Sequence, residues 1–166
     1  GVLVQSNYGI RDTLTIAGVP VGRALPVTEV ADRGMPTDDD MGSILVVIAT
    51  DAPLLPHQLK RVATRAGLGI ARVGGMASNG SGDIFVAFST ANDKELRSGS
   101  DLSVRLLGNE HITPVFEGAV LATEEAIVNA LVAAETMTGT NGNTIEAIDH
   151  ESLRSVLRRY NRLIED

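Results

Sequence analysis

The sequence predicts an α+β protein in which helices cover β-sheet, and three observations carry that expectation. Ile44-Leu45-Val46-Val47-Ile48 and Ile84-Phe85-Val86-Ala87-Phe88 are continuous apolar runs of strand length. Apolar residues recur at helical spacing after Pro56 and again after Pro114. The chain of 166 residues is 43% hydrophobic and 21% charged, enough for about one domain with a sizeable core.

In order along the chain, residues 1–5 form a short apolar strand, and Asp12 to Ala17 alternate polar and apolar residues as a half-exposed strand does. The turn Gly18-Val19-Pro20 leads to a further strand between Ala24 and Val30. Residues 31–42 hold glycine, proline and three consecutive aspartates, and read as a linker too polar for the core. Strand 44–50 follows. Pro56 opens a helix to Ala66 whose inner face is Leu59, Val62, Ala63 and Ala66, with Gly67 as its stop. Leu68–Val73 is expected as a strand, Gly74–Gly82 as a glycine-rich loop, Ile84–Phe88 as another continuous apolar strand and Ala91–Ser100 as a charged surface connection. Thr113-Pro114 provides an N-cap and N1 proline for a long helix to about Met137, patterned by Val120/Leu121, Ile127/Val128 and Leu131/Val132. Residues 139–143 turn, Thr144–Ile148 is a short strand, and Asp149 caps a last helix buried through Leu153, Val156, Leu157 and Tyr160.

Composition excludes several function classes. A net charge of −7 with no lysine or arginine stripe argues against nucleic acid, whose phosphates would be repelled. No apolar run approaches the roughly 18 residues of a membrane span. The absence of cysteine removes disulfides, thiolate nucleophiles and zinc-thiolate sites together, and leaves the compartment open, the cytoplasm being favoured over the periplasm. His57, His111 and His150 share no ligand spacing, so neither a metal nor another cofactor is expected. The start Gly1-Val2-Leu3-Val4-Gln5 reads as the middle of a strand, and hence as a later part of a longer gene product.

The candidate chemistry centres on Gly42-Ser43, where the polar linker gives way to a buried strand. A serine there can attack the carbonyl of unhindered Gly42, form an ester by acyl shift, and after hydrolysis stand as a new N-terminus whose amine serves its own hydroxyl as base. The plainer reading is a turn before a strand. The loop from Gly74 to Asp83 lacks the lysine of a phosphate cradle and leads into a strand, not a helix. Ser81 and Asp83, two apart on it, are instead candidates for a proton relay and orienting carboxylate beside a reacting serine. Asn7 suits a strand end, and its amide can also donate into an oxyanion hole. Asp38, Asp39 and Asp40 read as a solvated run that keeps the linker exposed, not as cation ligands.

Four blocks in order, Val2-Leu3-Val4-Gln5-Ser6-Asn7-Tyr8-Gly9, Gly42-Ser43-Ile44 through Leu54, Gly80-Ser81-Gly82-Asp83-Ile84 through Thr90, and Asn129-Ala130-Leu131 through Gly139, resemble the L-aminopeptidase D-amidase/D-esterase family, which includes the β-aminopeptidases. The resemblance implies a precursor cleaved before a nucleophilic serine into α and β polypeptides that together form an αββα sandwich. Residues 1–42 would then be the tail of α and 43–166 all of β. It also implies that Ser43 is the nucleophile, Ser81 and Asp83 its partners, and Asn7 an oxyanion donor. Some relatives carry Glu at the Asp83 position. The implied activity is release of the N-terminal residue from short peptides, amides or esters with a free amine. The implied partners are the rest of the α polypeptide and further αβ units in a homo-oligomer. A catalytic tyrosine and the groups that hold the substrate's ammonium lie in the family's upstream part. Two alternatives remain at this point: an acyltransferase resembling ornithine acetyltransferase, which uses a threonine, and a non-catalytic binding or assembly protein of the same fold.

Overall fold

The computed structural model describes residues 1–25, 42–93 and 101–164. Its centre is a three-stranded sheet built from β1 (Val2–Asn7), β2 (Ser43–Thr50) and β3 (Ile84–Ser89), in that spatial order. β1 runs antiparallel to β2, with register pairs from Val2↔Ile48 to Asn7↔Ser43. β3 is parallel to β2, from Leu45↔Ile84 to Thr50↔Ser89, and the crossover between them carries α2 (Pro56–Ala63) and α3 (Ala66–Arg72). Both apolar runs are therefore the strands expected of them.

The pleat sorts β2 into two faces. Ile44, Val46 and Ile48 point into a core shared with Leu54, Val62, Ala66, Ile70, Val73, Ile112, Ala119 and Ile127. The helical layer on this side also includes the long helix α4 (Thr113–Ala133), whereas α1 (Val21–Ala24), near the start of the chain, packs elsewhere. The alternate residues Leu3, Leu45, Val47, Ile84, Val86 and Phe88 lie on the opposite face and are 36–71% exposed. A second cluster joins Ile16, Val19 and Val21 to Leu153 and Val156 of α5 (His150–Arg159). A two-stranded hairpin, β4 (Met137–Thr138) and β5 (Thr144–Ile145), connects α4 to α5. Among the described residues no helix is long and apolar enough to cross a membrane.

Several local expectations are corrected. Gly67 does not stop a helix and Leu68–Val73 is not a strand: these residues form α3. Of its two glycines, Gly69 serves packing, since a Cβ on it would come within 2.7 Å of both Thr123 Cβ and the Val120 carbonyl oxygen of α4. The stop comes later, at Gly74 (φ +96°), where the Gly75 and Gly74 amides donate to the Ile70 and Ala71 carbonyls, each at 3.0 Å, in a Schellman arrangement. Asp12 to Ala17 is not a strand either. Arg11–Thr13 is a 3₁₀ turn, and Thr15 is held at the end of α3, its amide donating to Val73 O and its hydroxyl to Arg72 O.

At the start of α4, Thr113 is the first helical residue and Ile112 stands at the N-cap; the helix ends at Ala133 and not Met137. On α4, Leu121 is exposed, whereas Ala119, Thr123 and Ile127 are buried. β5 ends at Ile145 rather than Ile148, and Tyr160 is half exposed at the end of α5. Asp149 does cap α5, accepting from the Ser152 amide at 2.8 Å. The strand expected between Ala24 and Val30 does not begin at Ala24, which ends α1 with Leu25 as its C-cap; the rest of it, nearly all of the linker 31–42, and most of the connection 91–100 lie outside the described residues, and Asn92 is buried, its side-chain amide bridging to Arg105.

Candidate active site

Ser43 is the first residue of β2 and belongs to the open face with Leu45 and Val47, because side chains alternate along the strand. Antiparallel pairing sets Asn7 directly opposite it. Opposed residues of such a pair have Cβ atoms about 4.5–5.5 Å apart on one face, so the Asn7 amide is within side-chain reach of the Ser43 hydroxyl.

The loop between α3 and β3 comes to the same place. The Ser81 amide donates to the Ser78 carbonyl at 2.9 Å, closing a turn through Asn79 and Gly80 that delivers Ser81-Gly82-Asp83 beside the start of β2. The Gly82 amide donates to Ser43 Oγ at 3.1 Å. The Ser81 hydroxyl donates to Asp83 Oδ1 at 2.6 Å, and the same oxygen accepts the Ile44 amide at 3.3 Å. One carboxylate thus holds the neighbouring hydroxyl and the backbone next to Ser43. The aspartate side chain, though short, reaches the Ser81 hydroxyl directly. Ser81 and Asp83 are half-buried and Gly82 is exposed, so the assembly sits at a surface open to small molecules.

All four candidate side chains, Asn7, Ser43, Ser81 and Asp83, converge with Gly42 on one end of the sheet. The sequence reading missed the donors that tie them together, the Gly82 and Ile44 amides. A backbone amide has no residue-type signature; the only cue was a glycine between two polar residues, which permits close approach. The arrangement provides a serine hydroxyl that accepts from a backbone amide and, beside it, a second hydroxyl bound to a carboxylate. These are the parts of acyl transfer through a serine ester.

A helix-backed sheet with a serine at the start of an inner strand and an oriented hydroxyl-carboxylate pair beside it fits the Ntn hydrolase fold of a solved structure that this chain resembles. Residues 1–145 match the model of Peptidase family S58, and the chain belongs to that family. The chain is 51% identical over 173 residues to a beta-peptidyl aminopeptidase of Sphingosinicella microcystinivorans, covering 98% of this chain and 44% of that protein. A beta-peptidyl aminopeptidase of Sphingosinicella xenopeptidilytica is 43% identical, with 95% and 42% covered. Among solved structures, the L-aminopeptidase D-Ala-esterase/amidase of Ochrobactrum anthropi, described as a prototype for the serine aminopeptidases and a variant of the Ntn hydrolase fold, superposes with a TM-score of 0.82. It is 51% identical, and the match covers 98% of this chain and 44% of that one. The chain therefore spans less than half the length of the relatives it matches.

Proposed function

We propose that residues 1–166 are part of a self-processed aminopeptidase that also acts on amides and esters, with Ser43 as nucleophile and Gly42–Ser43 as its cleavage site. The observation that carries this reading is the convergence on Ser43 of the Gly82 amide, the Ser81–Asp83 pair and the opposed Asn7. In processing, Ser43 Oγ bonds to the Gly42 carbonyl carbon, the Gly42–Ser43 C–N bond breaks, and the departing nitrogen takes up the hydroxyl proton. Water then cleaves the ester, leaving a Gly42 carboxylate and a free Ser43 amine. In turnover that amine, oriented by Asp83 through Ser81 and the Ile44 amide, accepts the Ser43 proton as the hydroxyl attacks the carbonyl of a substrate's first residue. The acyl-enzyme is released by water, and Asn7 donates to the oxyanion.

The names of the relatives support substrates with a free N-terminal amine. Residues 1–42 are assigned to the α polypeptide and 43–166 to the β polypeptide of an αββα sandwich. The apolar face formed by Leu3, Leu45, Val47, Ile84, Val86 and Phe88 is assigned to the remainder of the α polypeptide, which the length of the relatives leaves outside these residues. The αβ units are assigned to a homo-oligomer. Mass spectrometry of the purified full-length protein tests the reading: fragments ending at Gly42 and beginning at Ser43 are expected, together with hydrolysis within a panel of aminoacyl-p-nitroanilides. An intact chain with no hydrolysis of any member contradicts it.

A further inference from the structure

The junction holds a steric feature that the nucleophile and its partners do not account for. One residue beyond the last pair of β1 and β2, Gly42 lies so close to the exit of β1 that a Cβ placed on it would be 2.1 Å from the Asn7 carbonyl oxygen, 2.4 Å from Tyr8 Cα and 2.9 Å from the Asn7 carbonyl carbon. Every one of these atoms is backbone, so no side-chain rotation makes room. The demand for glycine comes from this close approach.

The wall is itself backed. A Cβ on Gly75 would come within 2.7 Å of Tyr8 Cε2 and 2.4 Å of Ile70 Cγ2, so the Tyr8 ring lies over a second glycine and against α3. Tyr8 packs on the main core, of which Ile70 is a buried member. Two glycines thus bracket the end of β1: Gly75 lets the Tyr8 ring seat, and Gly42 lets the junction pass beside the backbone that the ring fixes. Asn7, on that same stretch of backbone, carries the side chain assigned to the oxyanion.

We infer that Gly42 is a positioning residue for self-cleavage: only a residue without a side chain can pass the Asn7–Tyr8 backbone closely enough to present its carbonyl to Ser43 and to the Asn7 amide. This rests on the reading of Gly42–Ser43 as the scissile bond. A methyl group at position 42 displaces the junction from β1, and with it the carbonyl under attack. A displacement of about 1 Å away from reacting geometry lowers rates on the order of 10²-fold. The effect falls on the acyl shift, before any ester exists.

The test follows the rate at which the full-length precursor splits, by mass spectrometry, for wild type, Gly42→Ala, and Gly42→Ala combined with Tyr8→Ala. Each is examined with and without hydroxylamine, which cleaves an accumulated ester. Wild-type protein reports on the underlying reading alone: if it never splits between 42 and 43, that reading and this inference fall together. If wild type splits, Gly42→Ala is expected to slow about 10²-fold with no gain from hydroxylamine. In a Ser43→Ala background, the Gly42→Ala change is expected to leave cooperative unfolding in place. Removing the Tyr8 ring frees the wall to give way, so the double variant is expected to split faster than Gly42→Ala. A chain slowed only by misfolding would not be rescued by losing a ring packed on the core. A wild-type rate in Gly42→Ala, restoration of its splitting by hydroxylamine, or a double variant no faster than the single one would overturn the inference while leaving Ser43 as the nucleophile.

Discussion

The two faces of the sheet are equally apolar and have opposite surroundings. On one, Ile44, Val46 and Ile48 are buried against α2, α3 and α4; on the other, Leu45 and Val47 of the same strand remain exposed. Ser43 and Asn7 belong to the exposed face. One face of β2 therefore contributes core burial, while the other presents Ser43, the proposed nucleophile, at the margin of a surface that another layer can close. Stability and chemistry are separable by strand parity, and variants can test that separation.

The largest effect is expected from a charge on the open face. Val86→Asp leaves the helix-covered core untouched, yet an unpaired carboxylate costs several kcal/mol if a second layer covers it. The α and β polypeptides of the full-length protein are expected to stop co-purifying, whereas wild-type recovery would mean that this face is open to water. Next come the groups around Ser43. Asn7→Ala is expected to lower kcat by about 10²–10³, the usual cost of a lost oxyanion donor. Ser81→Ala and Asp83→Ala are expected to lower it by roughly two powers of ten or more, with the melting temperature nearly unchanged because both lie on a loop. Normal turnover in the Ser81 and Asp83 variants would remove the pair from the mechanism.

The covered face should behave in the opposite way. Ile44→Ala removes a fully buried side chain and is expected to cost about 2–5 kcal/mol in denaturant unfolding, a loss an open-face Leu45→Ala in residues 1–166 alone should not match. Equal losses would erase the distinction between the faces. The smallest effect lies far from both, at the cap of α5. Hydrogen bonds from the Ser152 side chain and amide hold the Asp149 carboxyl below the usual carboxylate range, with His150 adding to the shift. A lowered folded-state pKa makes the contribution present above the unfolded value and lost as pH falls through the folded one. Asp149→Ala is therefore expected to lower the melting temperature slightly at neutral pH, with the difference from wild type shrinking in acid below the usual carboxylate range.

What the sequence made legible follows the same division. β2 and β3 announced themselves as unbroken apolar runs because both of their faces are apolar, although helices cover only one; Ser43, Ser81 and Asp83 stand just before those runs, and the family resemblance singled them out. The α3 segment was misread because its glycines look like punctuation, whereas Gly69 exists to let α4 approach, a tertiary requirement invisible in local pattern. Thr13 and Thr15 alternate like strand residues, but Thr13 closes a local turn on Ile10 and Thr15 is held by the end of α3, a contact no local periodicity shows. Within the site, the Gly82 amide on Ser43 left only a glycine between two polar residues as its cue, and the crowding of Gly42 against β1 emerged only from the fold. Side-chain chemistry is written in residue types; backbone donors and close approaches are written in the fold.

The central claim is that one hydroxyl both splits the chain and turns over substrate. Ser43→Ala in the full-length protein tests it most directly, by mass spectrometry of the junction and by hydrolysis of aminoacyl amides on the same sample. The account predicts an intact chain joined through Gly42 and no turnover, with both losses appearing together. Splitting at this junction, or full activity without Ser43, would contradict it.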